Sequence, residues 1–424
     1  MRIAEVYVRR ISFGSADRTS APGTAAHARA SFPAVQRPVC IVGVGLSDGP
    51  VTPDLSAVML EAQSFRRALD DAGLEKDDID GLASAGYGGM HEVALAEYLG
   101  LAPTWLESSS VGGSSFEFHA MHAYRAIQNG DADTIAIVYG NNQLSASGRT
   151  LGTGGGGGGR GGMALPLPMS YEFPTGLTLV GAYAMAAQRH MHEYGTKPEQ
   201  LASISVQTRE HAARNPNAMY RDPITVDDVM SSRLVADPLH KLDCCVISDG
   251  GCCVIMSTEE RARDLGHRPV FVRGAAGGTT HHSIAAMADM TRTAAAVSGP
   301  KAFAEAGITP ADVDMFAMYD SFTYTVLVVL EDLGFAPKGE GGAFVSDNGG
   351  NLRLGGALPT NTDGGGLSAT HPGMRGLFLL CEATRQLRGE AGASQVPGAE
   401  IAVAHGSGGW LSTQATVVLG TEGN

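Results

Sequence analysis

At 424 residues, with 43% hydrophobic content and both charge signs present, the chain can bury a large core and is sized for two or three domains. Its formal net charge of -14 argues against nucleic acid or an anionic membrane surface as the main partner, but leaves room for an anionic coenzyme held by a local basic patch. No apolar run approaches the ~20 residues needed to cross a bilayer.

In chain order, residues 1–37 read as a disordered extension rich in Ser, Ala and Arg, without the apolar stretch of a secretory signal. Val39 to Gly45 is a continuous apolar run ending in glycine, the pattern of a strand buried on both faces. Ser56 to Ala72 has helical spacing closed by Gly73; Ile79 to Ser84 is a short strand, His91 to Leu99 and Phe116 to Asn129 are helices, and Ala132 to Tyr139 is another buried strand. The same grammar returns with a strand at Val270 to Arg273, a helix at Thr291 to Ala306, a strand at Asp314 to Tyr319, and helices at Phe322 to Leu333 and Gly373 to Arg388. A last strand pair follows at Ile401 to Ala404 and Ala415 to Leu419. Strands alternating with helices predict largely parallel pairing through right-handed crossovers.

This order suggests two similar αβ halves, 38–268 and 269–424, with an insertion at about 141–239. The insertion opens on six glycines, Gly154 to Gly159, read as a mobile loop or the lid of a site; without a following Lys-Ser/Thr they are not a phosphate loop. Leu177 to Tyr194 and Gln200 to Asn215 are its helices. Four of the six cysteines form adjacent pairs, Cys244-Cys245 and Cys252-Cys253. Adjacent cysteines on a strand point to opposite faces, so buried thiols beside a turn are favoured over a zinc site, and a reducing cytoplasm fits.

Several segments resemble the thiolase superfamily, in its sterol-carrier-protein-x or lipid-transfer branch. They are Asp237-Pro238-Leu239-His240-Lys241-Leu242-Asp243-Cys244-Cys245 with Ser248-Asp249-Gly250-Gly251, Met318 to Thr323, the glycine turn Asn361 to Gly376 carrying His371, and Ala402 to Gly406. The resemblance runs from about residue 38 to the end. It implies an α/β thiolase fold, two duplicated αβ halves stacked in an αβαβα core with a loop and helical insertion.

A thiolase places a nucleophilic cysteine at the N-terminus of a buried helix, where unpaired N–H groups lower the thiol pKa. Counting back from Ala132-Asp133, that position is Gly113, and no cysteine lies between Cys40 and Cys244. Ser114 is either an alternative nucleophile, for which no adjacent base is visible, or a helix cap. By the resemblance, His371 is the histidine that donates to the thioester oxygen, Tyr319 replaces the usual asparagine, and His405 replaces the second cysteine. Backbone N–H groups at Gly113 and Ser407 complete an oxyanion site, and Ser114 and Asp320 are candidate substrate-binding residues.

A site that stabilises a thioester enolate but has no acyl-accepting thiol suits retro-aldol cleavage of a β-hydroxyacyl-CoA, as in steroid side-chain catabolism. Tyr319 would be base or proton relay, His371 the oxyanion donor and His405 the acid at Cα; a free tyrosine titrates near ~10, so Tyr319 needs a relay. Core readings of Tyr319 and His405 stay open. The resembling aldolases carry a second tyrosine where this chain has Ala369, a departure that counts against a two-tyrosine mechanism and against the same exact substrate. The resemblance also implies a homodimer, and a small OB-fold/zinc-ribbon (DUF35) partner that alone holds zinc. No cofactor is expected to be tightly bound, and no metal site on the chain. The rival readings are a cysteine-independent acyltransferase subunit and a non-catalytic acyl-CoA or lipid-binding protein.

Overall fold

The computed structural model describes residues 37–86, 89–147 and 172–423, so the readings of residues 1–36 and of the glycine run Gly154 to Gly159 lie outside the described residues. The first half opens on β1 (Val39–Leu46), α1 (Ala57–Ala72), β2 (Gly81–Ser84), α2 (His91–Leu99), β3 (Trp105–Glu107), α3 (Ser115–Asn129) and β4 (Thr134–Asn141). Next come α4 (Gln143–Ser147), α5 (Leu179–Tyr194), α6 (Pro198–Ala212), α7 (Val226–Ser231), β5 (Leu234–Ala236) and β6 (Leu239–His240). β7 (Gly250–Thr258) and α8 (Glu259–Arg263) close that half. The second half holds β8 (Val270–Thr279), α9 (Ala295–Ala306), β9 (Met315–Met318), α10 (Thr323–Asp332), α11 (Gly341–Ser346), α12 (Gly376–Arg388), β10 (Ile401–Gly408) and β11 (Thr413–Gly420).

Local chemistry sets these limits. The Ser56 side chain accepts the Met59 N–H at the start of α1, and Gly73 ends it in the left-handed region at φ 69°. Gly130, at φ 80°, ends α3 in the same way. All eight residues of β4 and all nine of β7 are buried, as a strand covered on both faces requires.

One nine-stranded sheet runs in the order β3-β2-β4-β7-β1-β8-β11-β10-β9. Its two parts repeat: β2 is parallel to β4, β4 antiparallel to β7, and β7 antiparallel to β1. In the second part β9 is parallel to β10, β10 antiparallel to β11, and β11 antiparallel to β8. The parts meet where β1 and β8 pair at Cys40↔Phe271 and Ile41↔Val270. The expectation of largely parallel pairing is therefore corrected. In each half the last strand, β7 or β11, returns antiparallel between two others, and β7 escaped notice because it starts on Gly250-Gly251.

Five layers result. α1 packs on the outer face of β1, β4 and β7, while α9 packs on β8 and β11 from the other side. α3 and α12 lie between the two half-sheets and touch strands of both. Strand alternation sorts the core: Cys252, Val254 and Met256 face this central layer, Cys253 and Ile255 the outer one. The adjacent thiols thus do point to opposite faces. Residues of α5 and α6 join the outer core of the second half, against β9 to β11 and α10.

Candidate active site

The site forms where the central layer meets the ends of β9 and β10. A 3₁₀ turn, Gly112–Ser114, leads into α3 with Gly113 buried. The β10 end runs directly beside it. A Cβ on Gly112 would lie 2.8 Å from the Gly409 nitrogen, and one on Gly113 would fall within 3.0 Å of the Ser407 carbonyl oxygen. The two backbones named as oxyanion donors are therefore in contact.

The same test explains the glycine. A Cβ at position 113 would also fall within 3.0 Å of Cε2 and Cζ of Tyr319, closer than real Cβ atoms come to anything. The phenol ring occupies the space that a cysteine side chain would need. Tyr319 follows β9 and is buried; its amide donates to the His405 carbonyl at 2.9 Å, which fixes the ring's origin. Its hydroxyl lies 2.9 Å from Nε2 of His371, with the two rings edge-to-face at 84°. Which atom donates depends on the histidine tautomer.

His371 is delivered by a π-helical turn, Gly365–Ala369. Its backbone is held from both sides, its amide donating to the Ser248 hydroxyl at 2.9 Å and its carbonyl accepting the Ser248 amide at 3.4 Å. Tyr139 clamps the next residues, donating its hydroxyl to the Pro372 carbonyl and accepting the Met374 amide.

Asp320, expected to bind substrate, is instead fully buried, and its carboxylate accepts the Gly366 amide at 2.7 Å and the Leu367 amide at 3.1 Å. It holds the turn that carries His371, so the dipeptide Tyr319-Asp320 sets both ends of the Tyr319–His371 pair. Gly365 is needed here, because its φ is 61° and a Cβ would strike the Asp320 carboxylate. Burial raises the Asp320 pKa to about 6, opposed by the Arg375 guanidinium and the two amides. Arg375 is itself fully buried and pairs with Asp363 at 2.5 Å. Through about pH 6 Asp320 gains a proton and one of its oxygens changes from acceptor to donor toward the turn; turnover is expected to fall with acid through that pH. The Asp320→Asn variant should lose this acid limb, as a kcat profile from pH 5 to 8 would show.

Two further expectations are corrected. Ser114 is fully buried, with its hydroxyl 2.9 Å from that of Thr413, so it ties α3 to β11 and faces no substrate. Nor does it cap α3 through its side chain; Ser115 serves the turn instead, donating to the Gly112 carbonyl and accepting the Val111 amide. His405 is fully buried on the face of β10 that meets Phe316 of the neighbouring β9. Both ring nitrogens are engaged, Nδ1 with the Thr416 hydroxyl and Nε2 with the Gln414 amide oxygen, each at 2.9 Å. Burial pushes its pKa down to about 4, so it is neutral at pH 7. It joins the site through its backbone only and is no proton donor to Cα. Replacing His405 by Leu takes the partner from the Gln414 amide oxygen, while the Thr416 hydroxyl keeps Ser298 at 2.9 Å, and should cost about 1–3 kcal/mol of stability in denaturant melts. Loss of turnover in the folded variant would restore its acid role.

The sequence reading missed Ser248, Tyr139, Arg375 and the buried Glu117 of α3. Arg375 carried a signal, a charge inside the Gly373 to Arg388 helical stretch; the others gave none.

Residues 276–421 match the family model described as "Thiolase C-terminal domain-like". The chain is similar to "Acetyl-CoA acetyltransferase" of Methanothermobacter thermautotrophicus, 34% identical over 90% of this chain and 99% of that protein. It is similar to "17-hydroxy-3-oxo-4-pregnene-20-carboxyl-CoA lyase" of Mycobacterium tuberculosis, 35% identical over 87% of this chain and 96% of that one. Among solved structures it resembles an "Ltp2-ChsH2(DUF35) aldolase", with a TM-score of 0.82 and 30% identity over 90% of this chain and 97% of that one. The chain belongs to the thiolase superfamily.

Proposed function

We propose that this chain is a carbon–carbon lyase that cleaves a β-hydroxyacyl-CoA by retro-aldol reaction, giving a ketone or aldehyde and acetyl-CoA or propionyl-CoA. One observation carries the reading: the Tyr319 ring fills the space at Gly113 that a thiol would occupy, and its hydroxyl meets His371. The names of the lyase and aldolase relatives support it.

Tyr319 takes the proton of the substrate's β-hydroxyl while passing its own to Nε2 of His371, so the phenol need not ionise. The Cα–Cβ bond breaks, the hydroxyl-bearing carbon becomes a carbonyl, and the electron pair moves to Cα and the thioester oxygen as an enolate. Backbone N–H groups of the Gly113 and Ser407 turns steady that oxygen. The proton returns from His371 through Tyr319 to Cα, and the shorter acyl-CoA leaves. His371, read from the resemblance as an oxyanion donor, here holds the proton between the two steps. Steroid or related side chains are the proposed substrates, on the strength of the relative named for a pregnene carboxyl-CoA.

A DUF35 partner, holding the zinc, is proposed from the complex named in the similar structure. Homodimer pairing along β3 is supported by its place at the sheet edge and by Leu106, 47% exposed. A cytoplasmic setting is supported by six free cysteines. Among the described residues no helix is long and apolar enough to cross a membrane.

The test is incubation of the chain, with its zinc-ribbon partner, with a β-hydroxyacyl-CoA bearing a tertiary alcohol. Ketone and acetyl-CoA or propionyl-CoA should appear in equal amounts. A covalent acyl adduct on the chain, detected by mass spectrometry, would sink the reading. The acyltransferase alternative, kept open by the acetyltransferase relative, requires exchange of labelled acyl groups between CoA donors; none is expected without a thiol at position 113.

A further inference from the structure

One ionisable group near the site has no part in this mechanism. Glu117 lies one helical turn beyond Gly113 on α3 and is fully buried. Among the described residues, neither of its carboxyl oxygens has a hydrogen-bond partner. Buried polar groups are nearly always paired, so this one calls for a reason. The surroundings are shaped to hold it. A Cβ at Gly376, the first residue of α12, would lie 2.5 Å from Oε2 of Glu117 and equally close to the Gly113 carbonyl oxygen. A Cβ at Gly406 on β10 would collide with the same carboxyl and sit 2.8 Å from Cα of Ser114. Two glycines from two elements thus make room for a carboxyl directly beneath the oxyanion turn.

We infer that Glu117 is the electrostatic control of the oxyanion site: un-ionised, it leaves the positive end of α3 free to hold the enolate oxygen, and ionised, it opposes that charge. The inference rests on the enolate chemistry proposed above. Catalysis at this turn depends on N–H dipoles that no nearby anion cancels. A carboxylate under the same turn would compete with the enolate for them. Among the described residues, the elements packed on Glu117 bring no counter-charge. His405 of β10 faces the opposite side of its strand, Arg375 ahead of α12 is committed to Asp363, and Tyr319 lies beyond Gly113. Burial alone raises the Glu117 pKa, to about 8, opposed only by the residue's own amide. The N-terminus of α12 would favour the ion, but no N–H of α12 bonds to the carboxyl, so burial prevails. Glu117 is therefore neutral at pH 7 and ionises just above it. It acts through Gly113 and touches no substrate, which makes it a positioning residue.

The test compares wild type, Glu117→Gln and Glu117→Met at pH 7 and pH 9. The probe is a CoA thioether bearing a nitronate, a stable mimic of the enolate whose binding requires no turnover. Wild-type affinity should fall by about tenfold relative to the variants between the two pH values, less than the loss of a whole oxyanion donor. The wild-type kcat ratio between pH 7 and pH 9 should move toward one in either variant that folds. Parallel pH profiles in wild type and variants overturn the inference. So does a folded Glu117→Gln that no longer binds the nitronate at pH 7, because the carboxyl would then be needed as such. Absence of ketone release with the nitronate pattern intact would count against the retro-aldol reading alone.

Discussion

Replacing Tyr319 by phenylalanine is expected to lower kcat by ~10²–10⁴-fold, the range that a positioned acid–base group contributes. KM should change little, because the hydroxyl acts in the transition state and not in uniform binding. The ring stays, so the space beside Gly113 remains filled and the core keeps its packing. The fold loses the 2.9 Å hydrogen bond to His371, about 1 kcal/mol. His371→Ala should cost a similar factor in rate, and the two effects should not add, because the residues form one relay. Steady-state kinetics on the two single variants and the double variant decide this. A Tyr319→Phe enzyme within about threefold of wild type would remove Tyr319 from the chemistry.

Restoring the thiol at Gly113→Cys is expected to fail as a route to acyl transfer and to damage the existing reaction. The new Cβ must displace the Tyr319 ring or the Ser407 backbone, and overpacking of this kind costs about 1–3 kcal/mol. A displaced ring breaks the contact with His371, so kcat should drop by ~10² or more. Adding Tyr319→Asn empties the ring's space. The double variant should recover part of the lost stability, with a coupling of about 0.5–3 kcal/mol between the sites. Denaturant melts of the four proteins, with thiol labelling to show whether the introduced sulfur is reachable, make the measurement. A Gly113→Cys protein with wild-type stability and rate would show that the ring does not occupy the thiol position.

Much of the fold was legible because it rests on local rules. Buried strands such as Val39–Leu46 and Thr134–Asn141 carry continuous apolar runs, and α1 and α3 announce their ends with Gly73 and Gly130. Pairing direction was not legible. Gly250–Thr258 inserts antiparallel between β4 and β1 after a long excursion, and nothing local in its sequence states where it lands. Tyr319 and His371 each sit in a recognisable segment, and the structure brings the two side chains together. His405 sat in an equally recognisable segment and was misassigned. Strand parity decides its direction: Gly406 meets Glu117 in the central layer, so His405 must point to the outer face, toward Thr416 and Gln414. Asp320 was read as a substrate-binding residue, whereas its carboxylate meets the glycine turn.

By itself the sequence determined that no cysteine stands between Cys40 and Cys244, and so that the thiolase nucleophile is absent; composition of a segment needs no folding to be read. Only the tertiary structure decided what took its place. Gly113, Tyr319 and His371 come from three separate stretches of chain, and van der Waals exclusion between one missing Cβ and one phenol ring acts only once those stretches are packed together.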